Sequence, residues 1–323
     1  MENTIEPDKA KPAENAFDKI EDFVIKPTSD LFISVFLSNP NNENILINFI
    51  NAFLIDAGSN PIVSAKVGSP FSLREYSVEK QIVLDVKVRD ELGRYYNIEV
   101  QTYQQNEFND RLIFGWSKTY SGQAIRGMDY SDLCCVIAIA IVEFLIFPLS
   151  EKLHFVFNVR EKDEHDIVLS DKLQIHLLCL YLVLKGDIDK LRNISPDLAY
   201  WTIFFIFGKE SEETMQKLSQ KYPIIKEAFE QPVIRQAQEQ FRRYIADPEV
   251  RDIERRHQEY LFLQQVAFNR RYKEGIEEGI EKGIVKGKIE NKIEVAHKMK
   301  AKGFSVKDIA DITDLSYEEI GKL

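Results

Sequence analysis

The sequence predicts a mixed α/β fold: a central sheet flanked by helices, followed by a helical C-terminal extension. Three observations point there. Two alternating strand patterns meet at a polar turn between Ile82 and Thr102, an apolar run interrupted only by Glu143 fills Leu133–Phe147, and helical periodicity flanks both segments. With 323 residues, 44% of them hydrophobic, the chain can bury one large core or two smaller ones.

Residues 1–26 read as a polar, proline-containing lead-in. From Ser29 to Leu54 the pattern is helical with a break near Asn39–Asn42, and Leu46, Phe49, Ile50, Phe53 and Leu54 recur at three- and four-residue spacing as a stripe to bury against a sheet. Strand signals follow at Tyr76–Glu79, Ile82–Arg89 and Tyr95–Thr102, with a turn at Asp90–Arg94. Further on, Phe155–Val159 reads as extended and Asp171–Lys185 as a helix in which His176 and Cys179 are core residues among leucines. Trp201–Phe207 is expected in the core rather than as a base-stacking platform, and Ser211–Tyr272 as further helices.

Strand parity assigns the hairpin's faces. If Ile82, Leu84, Val86 and Val88 share the core face with Tyr96, Ile98 and Val100, the loop must hold an odd number of residues, most simply the five from Asp90 to Arg94. Asp85, Lys87, Asn97, Glu99 and Gln101 then occupy the opposite face, with Asp85 across from Glu99 and Gln101 one pleat further along. Two carboxylates that close repel unless a pKa rises or a cation binds, and hard oxygen donors suit Mg2+ or Mn2+. Such an ion could activate water for hydrolysis of a phosphodiester. The bland alternative is a solvated face.

Composition narrows the field. A formal net charge of -10 argues against a surface that coats DNA, so any nucleic-acid contact must be local. Five histidines and three cysteines are too scattered for a paired zinc motif, and the thiols are expected as reduced core. No signal peptide is evident and Leu133–Phe147 is too short to span a bilayer, which leads to the expectation of a cytoplasmic protein with no membrane partner. Ser195, Asp197 and His154 do not make a hydrolase triad, because Ser195 precedes a proline and reads as a helix N-cap.

LDVKVRDELGRYYNIEVQ (Leu84–Gln101) resembles the PD-(D/E)xK nuclease superfamily, in its recombination-promoting nuclease and transposase-like branch. DLFISVFLSNPNNENILINFINAFL (Asp30–Leu54) looks like that branch's N-terminal helices, and DRLIFGWSKTYSGQAIRGMDYSDLCCVIAIAIVEF (Asp110–Phe144) like its Arg-led helix, Gly-x-x-Tyr turn and buried strand. The likeness runs from about Asp30 to Phe207. It implies a restriction-endonuclease-like mixed sheet and a Mg2+- or Mn2+-dependent DNA endonuclease linked to recombination or mobile elements.

Carried over by position, the resemblance makes Asp85 and Glu99 the metal ligands and Asp85, Glu99 and Gln101 the catalytic set. Gln101 stands where the wider superfamily has Lys, and an amide can donate only a neutral hydrogen bond. Lys87, Lys118 or Arg111 would then have to supply positive charge. Arg111 and Lys118, seven residues apart on one helix face, are candidates for phosphate contact. Asp30 is either an accessory outer-sphere carboxylate or a helix N-cap.

The tail carries EGIEEGIEKGIVKGKIE, with glycine at 275, 279, 283 and 287. It reads either as a helix that associates with another subunit or as a flexible linker. Residues 293–323 predict two helices around Gly303-Phe304-Ser305, capped by Ser305 and Ser316; acidic residues favour an assembly hairpin there over a DNA reader, while the more basic stretch Arg270–Lys302 is the expected accessory DNA contact. The expected organisation is a nuclease-like domain over 27–270, a glycine-repeat segment over 271–290 and a helical hairpin over 291–323, with homo-oligomers forming through the C-terminal helices. The competing function is a non-cleaving DNA-binding or assembly protein whose nuclease site has degenerated.

Overall fold

Side-chain caps set the first helices. In the computed structural model, which describes residues 24–68, 86–104 and 107–323, the Ser29 hydroxyl accepts from the Phe32 amide at 3.2 Å and starts α1 (Asp30–Ser38). Asn39 then caps a single 3-10 turn at Pro40–Asn42, which is the expected break, before α2 (Glu43–Asp56). The stripe from Leu46 to Leu54 is fully buried.

Six strands of the described residues form one sheet: β1 (Ala65–Val67), β2 (Val86–Asp90), β3 (Tyr95–Gln101), β4 (Val136–Val142), β5 (His154–Arg160) and β6 (Val168–Cys179), in the order β1-β2-β3-β4-β6-β5. The β3-β4 and β4-β6 pairs are parallel and the rest antiparallel. The strand signals at Tyr76–Glu79 and Ile82–Asp85 lie outside the described residues. Between β3 and β4 runs α3 (Phe108–Ser121), and after β6 come α4 (Tyr181–Leu184), α5 (Pro196–Phe207), α6 (Glu212–Lys221), α7 (Pro223–Glu230) and α8 (Pro232–Ala246).

Alternation divides the sheet's side chains between two cores. Val86, Val88, Tyr96, Ile98, Ile137, Ile139, Ile141 and Leu178 pack with α1, α2, α5, α7 and α8, whose Phe32, Phe49, Phe204 and Phe241 and Trp201 fill the larger core. On the other face Ala138, Ala140, Val142, Ile175, Leu177 and Cys179 meet Phe108 and Leu112 of α3.

The segment Asp171–Lys185 corrects the sequence expectation: most of it is strand, and only Tyr181–Leu184 is helical. Its end, Ile175–Cys179, is buried on both faces of the sheet, and a continuous buried run is shared by a buried helix. The thiols are free, but Cys179 alone is buried; Cys134 and Cys135 are half-buried, and burial pushes the Cys135 thiol up to about 11. Ser195 holds the N-cap position of α5 as expected, although its side chain makes no capping bond and Pro196 fills the first helical position.

The chain divides at Arg256/His257 into two units. Helix α9 (Pro248–Ala301) contains the whole glycine repeat, which is therefore helical rather than a loop. Glycine costs a helix roughly 1 kcal/mol against alanine at each position, partly offset here by pairs such as Arg270–Glu274 at 2.9 Å and Lys282–Glu278 at 2.6 Å. In the second unit, α10 (Val306–Thr313) and α11 (Tyr317–Lys322) start at Ser305 and Ser316, both capping as predicted, and pack Ile309 and Ile320 on Ala296. No helix among the described residues is long and apolar enough to cross a membrane.

One polar network interrupts the larger core. His154 Nδ1 lies 2.6 Å from Asp56 Oδ2, His154 Nε2 lies 3.1 Å from His176 Nδ1, and the Ser195 amide donates to Asp56 Oδ1. Burial of Asp56 opposes ionisation, but the hydrogen bonds from His154 and Ser195 outweigh it and hold the carboxyl below its ordinary value. Burial, then the charge of His154, pushes His176 down to about 3. A depressed histidine stabilises the fold fully above the unfolded value near 6.5 and progressively less as the pH falls towards 3. Urea denaturation between pH 6.5 and 4 should therefore show a stability loss that His176→Met lessens by about 1.4 kcal/mol per pH unit.

Candidate active site

The hairpin that carries the candidate residues is built around Asp90. Its buried carboxylate accepts from the amides of Leu92 at 2.9 Å and Arg94 at 2.8 Å, from Arg94 Nε at 2.6 Å and from the Tyr96 hydroxyl at 2.9 Å. Gly93 supplies the positive φ of 79° that the turn requires. Burial foremost raises the Tyr96 phenol far above its ordinary range, so it remains a donor. The resulting register pairs Arg89 with Tyr95, Val88 with Tyr96, Lys87 with Asn97 and Val86 with Ile98, the pairing that parity required.

Burial of Val86, Val88, Tyr96 and Ile98 on one face leaves Asn97, Glu99 and Gln101 on the other, beneath α3. The parallel neighbour β4 sets Ala138 beside Asn97, Ala140 beside Glu99 and Val142 beside Gln101, so small side chains flank the candidate carboxylate. Helix α3 is tied across this face at two points: Asn97 Nδ2 donates to Thr119 Oγ1 at 2.8 Å, and Trp116 Nε1 to the Val136 carbonyl at 2.9 Å. At its other end Arg111 Nη2 reaches Glu99 Oε1 at 3.3 Å. Gln101 Nε2 donates to the Tyr103 carbonyl at 3.2 Å.

The remaining candidates divide by position. Lys87 is exposed on the same face as Glu99, and Lys118 is exposed two turns along α3 from Arg111. Asp85 lies outside the described residues. Asp30 is the first residue of α1, its Oδ1 accepting from the Leu31 amide at 2.9 Å, and the N-cap is Ser29; the capping explanation of Asp30 is thus corrected.

Two carboxylates that the sequence did not single out hold the surroundings. Glu143, just past β4, accepts from Lys26 Nζ at 2.7 Å and from Thr28 Oγ1, while its amide donates to the Gln101 carbonyl at 3.2 Å. The approach to α1 is thereby clamped to the end of β3 that bears Gln101. Glu254, fully buried, accepts from Ser29 Oγ at 2.6 Å and from the Tyr244 hydroxyl at 2.8 Å. Apart from Tyr244, the side-chain partners of these two carboxylates are more than a hundred residues away in sequence, so no local spacing announces them.

The donor set suits a hard cation. Glu99 offers carboxylate oxygens and Gln101 an amide oxygen, hard donors of the kind Mg2+ or Mn2+ takes. Among the described residues no three His, Cys, Asp or Glu side chains form a metal cluster.

A mixed sheet in which an antiparallel hairpin leads into a parallel pair, covered by helices on both faces and carrying a carboxylate and an amide beneath a crossing helix, is a restriction-endonuclease-like α/β fold. Residues 27–269 match the model of the family described as PD-(D/E)XK nuclease family transposase, and the chain belongs to that family. No curated protein and no solved structure matches it. Membership supports a nuclease-like role in recombination or mobile elements.

The hub at Asp90 makes a direct prediction. Asp90→Ala removes the partners of Tyr96 and Arg94 at once and should cost about 3 kcal/mol in chemical denaturation. Arg89→Ala, exposed on the neighbouring position, should cost under about 1 kcal/mol.

Proposed function

We propose that the chain is a divalent-metal-dependent DNA endonuclease that hydrolyses phosphodiester bonds. The observation that carries this reading is the convergence of Glu99, Gln101 and Arg111 on one face of β3, with Arg111 3.3 Å from the Glu99 carboxylate. Asp85 joins the proposal on sequence parity: it stands two residues from Lys87, as Glu99 does from Asn97.

Asp85 and Glu99 hold the cation through carboxylate oxygens. Mg2+ or Mn2+, when bound, supplies Lewis-acid polarisation of a phosphate oxygen and lowers the pKa of water. Gln101 orients the reacting groups through a neutral hydrogen bond. Arg111 balances the Glu99 charge and turns its half-exposed guanidinium towards phosphate, and Lys118 follows the DNA backbone along α3. Lys87 supplies the positive charge that Gln101 lacks, and Asp30 acts as an outer-sphere carboxylate. The setting is the cytoplasm.

A second reading, a non-cleaving DNA-binding or assembly protein, is favoured by one feature: Gln101 in place of lysine. Nicking of supercoiled plasmid in Mg2+, Mn2+ or EDTA separates the two. Asp85→Ala and Glu99→Ala should each lower metal-dependent cutting by at least roughly 100-fold, and Arg111→Ala by roughly tenfold. Absence of cutting, or cutting that survives both carboxylate changes, would establish the second reading instead.

A further inference from the structure

We infer that α9 pairs antiparallel with α9 of a second copy of this chain, along the glycine repeat. This inference is independent of the nuclease reading. Phe268, Tyr272, Ile276, Ile280 and Ile284 are all 45–58% exposed. The C-terminal unit's own core uses Ala296, Ile309 and Ile320 instead. Scattered exposed apolar residues need no explanation, but an uninterrupted row at four-residue spacing forms a continuous strip.

The glycines lie beside that strip. Gly275, Gly279 and Gly283 each precede an isoleucine, so the two rows run side by side about 100° apart and drift together around the helix. A Cβ added at any of the four glycines would meet nothing within 4 Å. No contact among the described residues therefore calls for glycine there, whereas a helix laid along the strip would approach the bare backbone closely.

Charge selects the occupant and its direction. Glu274, Glu277, Glu278 and Glu281 form an acidic block with no base between them, followed at once by Lys282, Lys286, Lys288 and Lys292 with only Glu290 interposed. A parallel second copy would set acid on acid and base on base. An antiparallel copy centred near Ile280 sets Ile276 against Ile284 and the acidic block against the basic one. The ion pairs already present, such as Lys282–Glu278, are exposed and can exchange partners at little cost. Nucleic acid is the poorer occupant, because the acidic block sits in the middle of the strip and would repel phosphate.

Analytical ultracentrifugation of the full chain tests this, with far-UV circular dichroism confirming unchanged helix content. A dimer is expected at micromolar concentration, and Ile276→Gln/Ile280→Gln/Ile284→Gln should raise its dissociation constant at least roughly 100-fold. Reversing the acidic block to lysine should weaken association at least roughly tenfold; reversing the basic block to glutamate in the same chain should restore it to within about threefold. That restoration is expected only for antiparallel helices. A monomeric wild-type chain, a dimer indifferent to the isoleucine changes, or block reversal without effect or without rescue would each overturn the proposal.

Discussion

The two-sidedness of β3 is the constraint on which the rest depends. This strand is hydrogen-bonded to β2 on one edge and β4 on the other, so its backbone has no freedom left and only the parity of its side chains remains to be decided. Tyr96 and Ile98 decide it. Fully burying a large apolar side chain is worth about 1.5–3 kcal/mol, so a one-residue slip that turned both outward would consume much of a domain's net stability. Once they face the larger core, Asn97, Glu99 and Gln101 must face α3. The same step in β4 turns Ala138 and Ala140 to that side, and their small size lets α3 lie close enough for Asn97 to reach Thr119 and for Arg111 to reach Glu99.

Carboxylates at element ends then make the geometry rigid. Asp90 closes the hairpin, Glu143 fastens the approach to α1 against the end of β3, and Glu254 receives the hydroxyl that caps α1. Each is largely removed from water and each accepts from several donors, which is the condition under which a buried carboxylate supports a fold instead of weakening it. The Glu254 carboxyl also lies at the N-terminus of α1, where the helix dipole favours negative charge.

What the sequence revealed follows from locality. Helices α1 and α2, the hairpin and its register, and the caps Ser305 and Ser316 could be read because each depends on residues a few positions apart. Segment β6 was misread because a strand covered on both faces loses its alternation and becomes indistinguishable from an internal helix. The Asp56–His154–His176 network and the Ser29–Glu254 contact were invisible for a different reason: their members come from separate elements and carry no spacing rule. At the candidate site, the face that Glu99 occupies was legible from parity, while the use of Arg111 as its ion-pair partner needed the placement of α3.

That ion pair bears on how an acidic protein could engage DNA at all. With a net charge of -10, long-range attraction to a polyanion is unfavourable, so engagement must come from local charge that becomes available on contact. The Arg111–Glu99 pair is such a reservoir under the nuclease reading. Its guanidinium is half exposed, and an ion pair in contact with water exchanges partners at little cost. A cation on Glu99 would take over the role of countercharge and leave the guanidinium to a phosphate. Metal and nucleic acid would then bind with positive coupling, since each supplies what the other's partner gives up.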